Sequence, residues 1–107
     1  MEIRELNEQI SEIDRRIVEL YCRRMEAARE VGRFKREHRI PIPDPEQERK
    51  QLNAAAELAG EEYEQGVRAL YHLLLDHSLL RQQLDSIGQA VQAAQKALEE
   101  LVKLISA

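Results

Sequence analysis

The basic side chain of Arg24 stands where the apolar pattern of the first part of the chain calls for a leucine. Apolar residues recur there three and four positions apart, at Ile3, Leu6, Ile10, Ile13, Ile17 and Leu20. A guanidinium group buried in such a helical seam costs several kcal/mol unless a carboxylate or another anion compensates its charge. Arg24 therefore predicts one of two arrangements: an acid reached across a dimer of this chain, or an anionic ligand bound beside the seam.

Lys35 lies eleven residues after Arg24, which on an α-helix is within about 20° of the same face and roughly 16 Å along the axis. Two long cationic side chains at this separation could hold a small anion between them. Ser78 and Gln82 lie one turn apart and extend an apolar stripe later in the chain, so they could bind a ligand or hydrogen-bond to a neighbouring helix. Taken alone, each of these residues fits a structural role as well.

The element that must position Arg24 and Lys35 is one helix from about Glu2 to about His38, because the seam is unbroken and the first proline is Pro41. Such a rod is roughly 55 Å long, whereas a compact chain of this length has a radius of gyration of about 13 Å. A single copy could not cover the seam, which must be buried against another copy or a very extended partner. The sequence therefore predicts an obligate helical homodimer.

The segment RIPIPDPEQERKQL, residues 39–52, contains all three prolines and predicts an extended connection that leads into a second helix. Asp44 fits the N-cap, Pro45 fits the first helical position, and Gln47 stands where a capping box has its second residue. The second helix is expected to end near Gly60. Gly32, inside the first helix, is expected where another helix crosses closely.

A third helix is predicted to start around Glu61 or Glu62 and to continue into a tail with a seam of its own. The apolar residues of this tail are Leu84, Ile87, Val91, Ala94, Leu98, Leu101 and Ile105. Gly88 is the position where the helix could bend or break. The predicted fold is all-α, with a helical domain at residues 1–84 and a helical C-terminal extension at residues 85–107.

Composition and charge exclude several classes of protein. Aromatic residues make up 4% of the chain and the apolar runs are short, so we expect neither strands nor a membrane span, and a cytoplasmic location. Sixteen basic and twenty acidic residues are interspersed, which argues against a nucleic-acid partner. Cys22 is the single cysteine, and no histidine or cysteine spacing indicates a metal site. A basic cluster around Lys35 is otherwise expected to be a solvated helix face; its members are Arg29, Arg33, Arg36 and Arg39.

Four blocks of the sequence together resemble the all-helical chorismate mutase family over about residues 3–84. They are LNEQISEIDRRIVELYCRR, AAREVGRFKRE, IPIPDPEQER and LLLDHSLLRQQ, in the family's order and spacing. The tail from about Leu84 lies outside the resemblance. The resemblance implies an intertwined dimer with three helices per chain, which is the kind of assembly that the long first helix requires independently.

The resemblance also implies that the chain converts chorismate, a small dicarboxylate, to prephenate by a Claisen rearrangement on the way to phenylalanine and tyrosine. Without a cofactor or a covalent intermediate, such a protein restrains the substrate in its reactive shape and stabilises charge on the breaking ether oxygen. Arg24 would bind a carboxylate through its planar fork, and Lys35 and Gln82 would donate to the ether oxygen. The implied substrate-binding residues are Asp44 and Glu48 at the ring hydroxyl and Ser78 beside a carboxylate.

Two positions depart from the family's pattern. This chain has Asn7 where the family has an arginine that reaches across from the partner's first helix, and Gln47 replaces an arginine early in the second helix. A charge-assisted hydrogen bond contributes about 1.5 to 3 kcal/mol, so we expect weakened activity. Arg4 lies one turn before Asn7 on the same helix face and could supply the missing charge.

Two other functions fit the sequence. Isochorismate pyruvate lyase shares the fold and a similar site, although the retained DPEQER block and Gln82 favour the mutase. A non-catalytic dimerisation or ligand-sensing module of the same fold would explain Asn7 and Gln47 as traces of lost catalysis. The seam in the tail supports an interaction role, and a fused or associated shikimate-pathway enzyme is one partner that this organisation allows.

Overall fold

The computed structural model describes residues 1–106, which form three α-helices joined by two short connections. α1 spans Ile3–Glu37, α2 spans Pro45–Ala59 and α3 spans Glu64–Ser106. The all-α prediction is confirmed, as is the single long helix at the N-terminus. Ala107, the last residue of the predicted extension, lies outside the described residues.

The end of α1 is a Schellman motif built without glycine. Arg39 adopts a left-handed backbone conformation with φ of 54°, and its N–H donates to the carbonyl of Arg36 at 3.3 Å. The N–H of Ile40 donates to the carbonyl of Lys35 at 2.8 Å, which completes the motif. The chain leaves α1 here and enters the proline-rich connection.

Asp44 caps α2 as predicted. Its Oδ1 accepts a hydrogen bond from the backbone N–H of Gln47 at 3.2 Å, and Pro45 occupies the first turn. The helix ends at Ala59 because Gly60 turns the chain with φ of 80°, a conformation that favours glycine.

The predicted start of α3 at Glu61 or Glu62 is wrong, because α3 begins at Glu64. The three residues after Gly60 form a turn, in which the N–H of Tyr63 donates to the Gly60 carbonyl at 3.3 Å. Beyond this point α3 continues through Gly88 without a break.

Gly32 lies where α1 and α3 cross, as the sequence predicts. A Cβ atom at this position would lie 2.9 Å from the Cα of Gln82, so the two backbones are in direct contact. α2 also packs against α3, where the guanidinium of Arg68 donates to the side-chain oxygen of Asn53 at 3.2 Å. The buried apolar core is small and consists of Ala28, Ala55, Ala56 and Leu75.

The chain is elongated, with dimensions of 77 × 35 × 17 Å and a radius of gyration of 20.7 Å. The first half of α1 has no cover within the chain: Ile13 and Ile17 are 55% and 57% exposed. The tail of α3 is similar, since Leu98 is 61% exposed. Within residues 1–106, no helix is both long enough and apolar enough to cross a membrane.

Candidate functional site

A cavity of about 280 Å³ lies between α1, the proline-rich connection, the start of α2 and the middle of α3. Seven of the residues predicted from the sequence line it: Arg24, Lys35, Asp44, Gln47, Glu48, Ser78 and Gln82. Apolar side chains complete the lining, among them Val31 and Leu75. The structure thus brings together residues from three elements that the sequence separates by up to 58 positions.

Arg24 extends from α1 towards α3 and is half-buried. Its guanidinium donates to the hydroxyl of Ser78 and lies over the ring of Tyr71, with 5.8 Å between the guanidinium carbon and the ring centroid. The ion pairs formed within residues 1–106 do not include Arg24. Of the two arrangements predicted for this residue, the acid reached across a dimer stays a prediction, because that acid would belong to a second chain.

Ser78 is buried and links Arg24 to the backbone of α3. Its hydroxyl accepts from Arg24 and donates to the carbonyl of Leu74 at 2.7 Å. With its single proton committed to that carbonyl, Ser78 presents an acceptor to the guanidinium. This arrangement holds the arginine side chain at the cavity wall.

Lys35 is the second cation at the cavity. Its Nζ donates to the carbonyl of Ile42 at 2.8 Å, which ties the proline-rich connection back to α1. Among residues 1–106 no acid pairs with Lys35. Because an ammonium group has three donors, two remain for other acceptors.

The opposite wall of the cavity is acidic and comes from the first turn of α2. Asp44 is held as the N-cap, and the N–H of Glu48 donates to its backbone carbonyl at 3.0 Å. Glu48 is half-buried and lines the cavity one turn further along. The cavity therefore presents cations from α1 and carboxylates from α2, an arrangement suited to a ligand that carries carboxylates at one end and a hydroxyl group at the other.

Gln82 reaches the cavity from α3, directly beside the helix crossing. Its Oε1 atom is buried and has no hydrogen-bond partner in the described chain. A buried amide oxygen without a partner is costly. Because Oε1 is an acceptor, only a donor such as a water molecule could complete its hydrogen bonding, and the amide N–H remains available to an acceptor on a ligand.

The expectation of a solvated basic face is wrong for Arg36. This residue is half-buried, and its guanidinium donates to the backbone carbonyl of Gln82 at 3.2 Å and to the hydroxyl of Ser86 at 3.3 Å. Arg29 also reaches α3, where it pairs with Asp85 at 2.7 Å. A charge pattern alone could not reveal this, because the contact depends on how α3 crosses α1.

Arg4 and Asn7 are not part of this cavity within one chain. They line a shallow depression in the first half of α1. Along the helix axis, Asn7 and Arg24 are separated by roughly 26 Å. Only another chain could bring these two residues to the cavity.

Among residues 1–106, no group of His, Cys, Asp and Glu side chains could hold a metal ion. The polar groups of the cavity are two cations, two carboxylates, two amide side chains of α2, the hydroxyl of Ser78 and the amide of Gln82. These groups can bind and orient an anionic ligand and stabilise charge within it.

The chain is thus an all-helical protein of three helices with a mixed-charge cavity between them. The chain belongs to the chorismate mutase type II family, whose sequence model matches residues 6–83. It is also similar to the T-protein of Haemophilus influenzae (strain ATCC 51907 / DSM 11121 / KW20 / Rd), with 36% identity over 61 residues. That alignment covers 54% of this chain and 16% of the T-protein. No solved structure matches the chain.

Proposed function

We propose that this chain is a chorismate mutase, which converts chorismate to prephenate by a Claisen rearrangement in phenylalanine and tyrosine biosynthesis. The observation that carries the proposal is the meeting of two cations, Arg24 and Lys35, with the amide of Gln82 at one cavity. Since no acid within residues 1–106 pairs with either cation, a dicarboxylate ligand would supply the compensating charge. Membership of the chorismate mutase type II family supports the same substrate.

The rearrangement breaks one carbon–oxygen bond and forms one carbon–carbon bond within the same molecule. It therefore needs no nucleophile and no group that accepts a proton. The protein contributes by holding the flexible substrate in its reactive shape and by stabilising negative charge that develops on the ether oxygen.

In our proposal Arg24 binds a carboxylate of the substrate through its planar fork. The contacts with Ser78 and Tyr71 fix the direction of the guanidinium, so little side-chain entropy is lost on binding. Ser78 lies beside the same carboxylate.

Lys35 and Gln82 act on the ether oxygen from opposite sides. Lys35 keeps one donor on the Ile42 carbonyl and directs the remaining donors to the ether oxygen and a carboxylate. Gln82 contributes its amide N–H. Across the cavity, Asp44 and Glu48 accept a hydrogen bond from the ring hydroxyl and so fix which end of the substrate faces α2.

The proposed active form is an intertwined homodimer. A row of large aliphatic side chains runs along the first half of α1. Ile10, Ile13 and Ile17 in this row are more than half exposed. A contiguous apolar stripe of this kind is usually covered by another chain. In the dimer, Asn7 and Arg4 of the partner subunit would approach the cavity.

We propose that the activity is weaker than is usual for the family. Gln47 lines the cavity without a charge, and Asn7 brings none across the dimer. Each missing charge-assisted contact corresponds to about 1.5 to 3 kcal/mol, or roughly one to two factors of ten in binding or rate. Arg4 of the partner subunit would recover part of this.

The test uses the purified full chain and two substrates. With chorismate, we expect loss of its ultraviolet absorbance and formation of acid-convertible prephenate. Pyruvate released from isochorismate, without prephenate from chorismate, would instead identify a lyase. Chorismate binding without either product would identify a ligand-sensing module, and would refute the mutase proposal.

A fused or associated enzyme of the shikimate pathway remains our proposal for a protein partner. The part of the T-protein that aligns with this chain is a small share of that protein's length. The exposed seam in the tail of α3 is available for such a contact.

A further inference from the structure

We propose that Arg36 is a positioning residue for Gln82 and thereby sets the rate of the reaction. This inference rests on the proposed function, in which the Gln82 amide stabilises charge on the ether oxygen. Arg36 does not line the cavity, so any effect on the reaction would pass through the residue it holds. Neither the composition of the basic cluster nor the family resemblance assigns it a role.

Arg36 bridges two successive turns of α3. One of its terminal nitrogens, Nη1, donates to the carbonyl of Gln82 at 3.2 Å and to the hydroxyl of Ser86 at 3.3 Å. A helix carbonyl has two lone pairs, so that of Gln82 can accept this bond in addition to its helical one. The bridge therefore fixes the backbone turn from which the Gln82 side chain extends.

Gly32, one turn before Arg36 on α1, makes a second contact with the backbone of Gln82. The Cβ of any other residue there would lie 2.9 Å from Cα and 3.0 Å from Cβ of Gln82. The backbones consequently touch at Gly32, and the guanidinium of Arg36 adds a directional hydrogen bond beside that contact. α1 thus contacts the backbone of Gln82 on α3 at two neighbouring positions, Gly32 and Arg36.

No hydrogen bond within residues 1–106 orients the Oε1 end of the Gln82 side chain. Its Oε1 is buried without a hydrogen-bond partner, and so is the Nε of Arg36. The position of the amide therefore depends on side-chain packing and on the backbone that carries it. Because a displacement of about 1 Å can lower a rate by roughly a hundredfold, holding this backbone bears directly on turnover.

The first experiment compares two arginine variants in the full chain. Arg36→Met keeps the length of the side chain and removes its donors. Arg29→Met is the matched control, because Arg29 also joins α1 to α3, through Asp85, but has no hydrogen bond to Gln82. We expect kcat for chorismate to fall about tenfold in Arg36→Met with KM nearly unchanged, and less than about twofold in Arg29→Met.

The second experiment places Arg36→Met in a Gln82→Ala background. If Arg36 acts through Gln82, the added substitution should cause no further loss of kcat. An equal fold-loss in both backgrounds would show a general structural role and would overturn the proposal. Arg36→Lys retains the charge and one donor group, so its kcat should lie between those of wild type and Arg36→Met, and it serves if Arg36→Met does not fold.

A third readout does not depend on turnover. In the free, ¹⁵N-labelled full chain, the side-chain amide resonances of Gln82, assigned by their loss in Gln82→Ala, should shift or broaden in Arg36→Met and stay unchanged in Arg29→Met. If wild type converts no chorismate but these resonances respond, the proposed function fails while the hold of Arg36 on Gln82 stands. Unchanged Gln82 resonances in Arg36→Met would overturn the positioning role itself.

Discussion

The two cations at the cavity, Arg24 and Lys35, are held by neutral groups, so their positive charges are available to a ligand. Arg24 contacts a hydroxyl and an aromatic ring, and Lys35 contacts a backbone carbonyl. Neutral partners orient a cation without cancelling its charge. At the scale of single residues, the site is therefore organised for an anion before any anion is bound.

Replacing Lys35 should damage turnover more than stability. Lys35→Met retains the aliphatic stem but removes the donors proposed for the ether oxygen and a carboxylate, so kcat/KM should fall by roughly ten- to a hundredfold. Lys50→Met, at an exposed position on α2, is the control. Steady-state kinetics and thermal unfolding check this prediction. If a fall in melting temperature accounts for the whole kinetic effect, the role of Lys35 is structural.

Arg4 allows a separate test of compensation across the dimer. If it replaces the charge that Asn7 lacks, Arg4→Ala should raise KM for chorismate by about tenfold without changing the dimer. Arg16→Ala is the control, because Arg16 is an exposed arginine of α1 that pairs with the nearby Glu12 and does not line the depression that holds Arg4 and Asn7. Unaltered turnover and affinity in Arg4→Ala, together with their loss in Arg24→Ala, would refute the compensation.

The crossing of α1 and α3 is the contact between elements on which the cavity depends. It brings Arg24 opposite Ser78 and places Gln82 beside Gly32. It also explains why a glycine is kept inside a long helix, where it costs about 1 kcal/mol relative to alanine. The close approach requires the absence of a Cβ.

Alanine usually stabilises a helix relative to glycine, but replacing Gly32 with alanine should destabilise this protein. Gly32→Ala would force a Cβ against the backbone of Gln82, and we expect it to lower the free energy of unfolding by about 1 to 3 kcal/mol. Gly66→Ala is the matched control, because a Cβ there meets nothing within 4 Å, and it should raise stability by up to about 1 kcal/mol. Urea unfolding of both variants measures the difference, and equal stabilisation would contradict the crossing.

Much of the fold could be predicted from the sequence because its signals are local. An unbroken seam, the proline-rich connection and the Asp44 cap define α1 and the start of α2. The start of α3 is harder to predict, because Glu61 and Glu62 suit the first turn of a helix as well as the turn that follows Gly60. The apolar pattern alone singles out Arg24, Lys35, Ser78 and Gln82, but only the family resemblance predicts that they meet Asp44 and Glu48 at one site. The contacts of Arg36 cannot be predicted from a local pattern, because its partners lie 46 and 50 positions away.

In the molecule as a whole, two apolar seams of a single chain are exposed to solvent: one along the first half of α1 and one in the tail of α3. The seam of α1 fits the proposed homodimer. The seam in the tail of α3 lies beyond residue 83, where the family match ends, and its apolar residues include Val91, Leu98 and Leu101, each at least half exposed. That residues 85–107 form a separate extension stays a prediction.

A charge placed in the seam of α1 should disrupt both assembly and activity. Ile17→Glu introduces a carboxylate among the aliphatic side chains expected at the dimer interface, so we expect monomers and at least about a hundredfold loss of turnover. Lys50→Glu places a carboxylate at an exposed position on α2 instead and should preserve the dimer. Sedimentation equilibrium measures the oligomeric state of each protein. A wild-type monomer with full activity would contradict the homodimer.

The most direct test of an anion-binding cavity at Arg24 is the initial rate of prephenate formation from chorismate by the full chain and by Arg24→Ala. We predict saturable turnover for wild type, and a loss of at least about a hundredfold in the variant, with its helical content retained. Equal rates in the two proteins, or a wild type that neither binds nor converts chorismate, would contradict the proposed function.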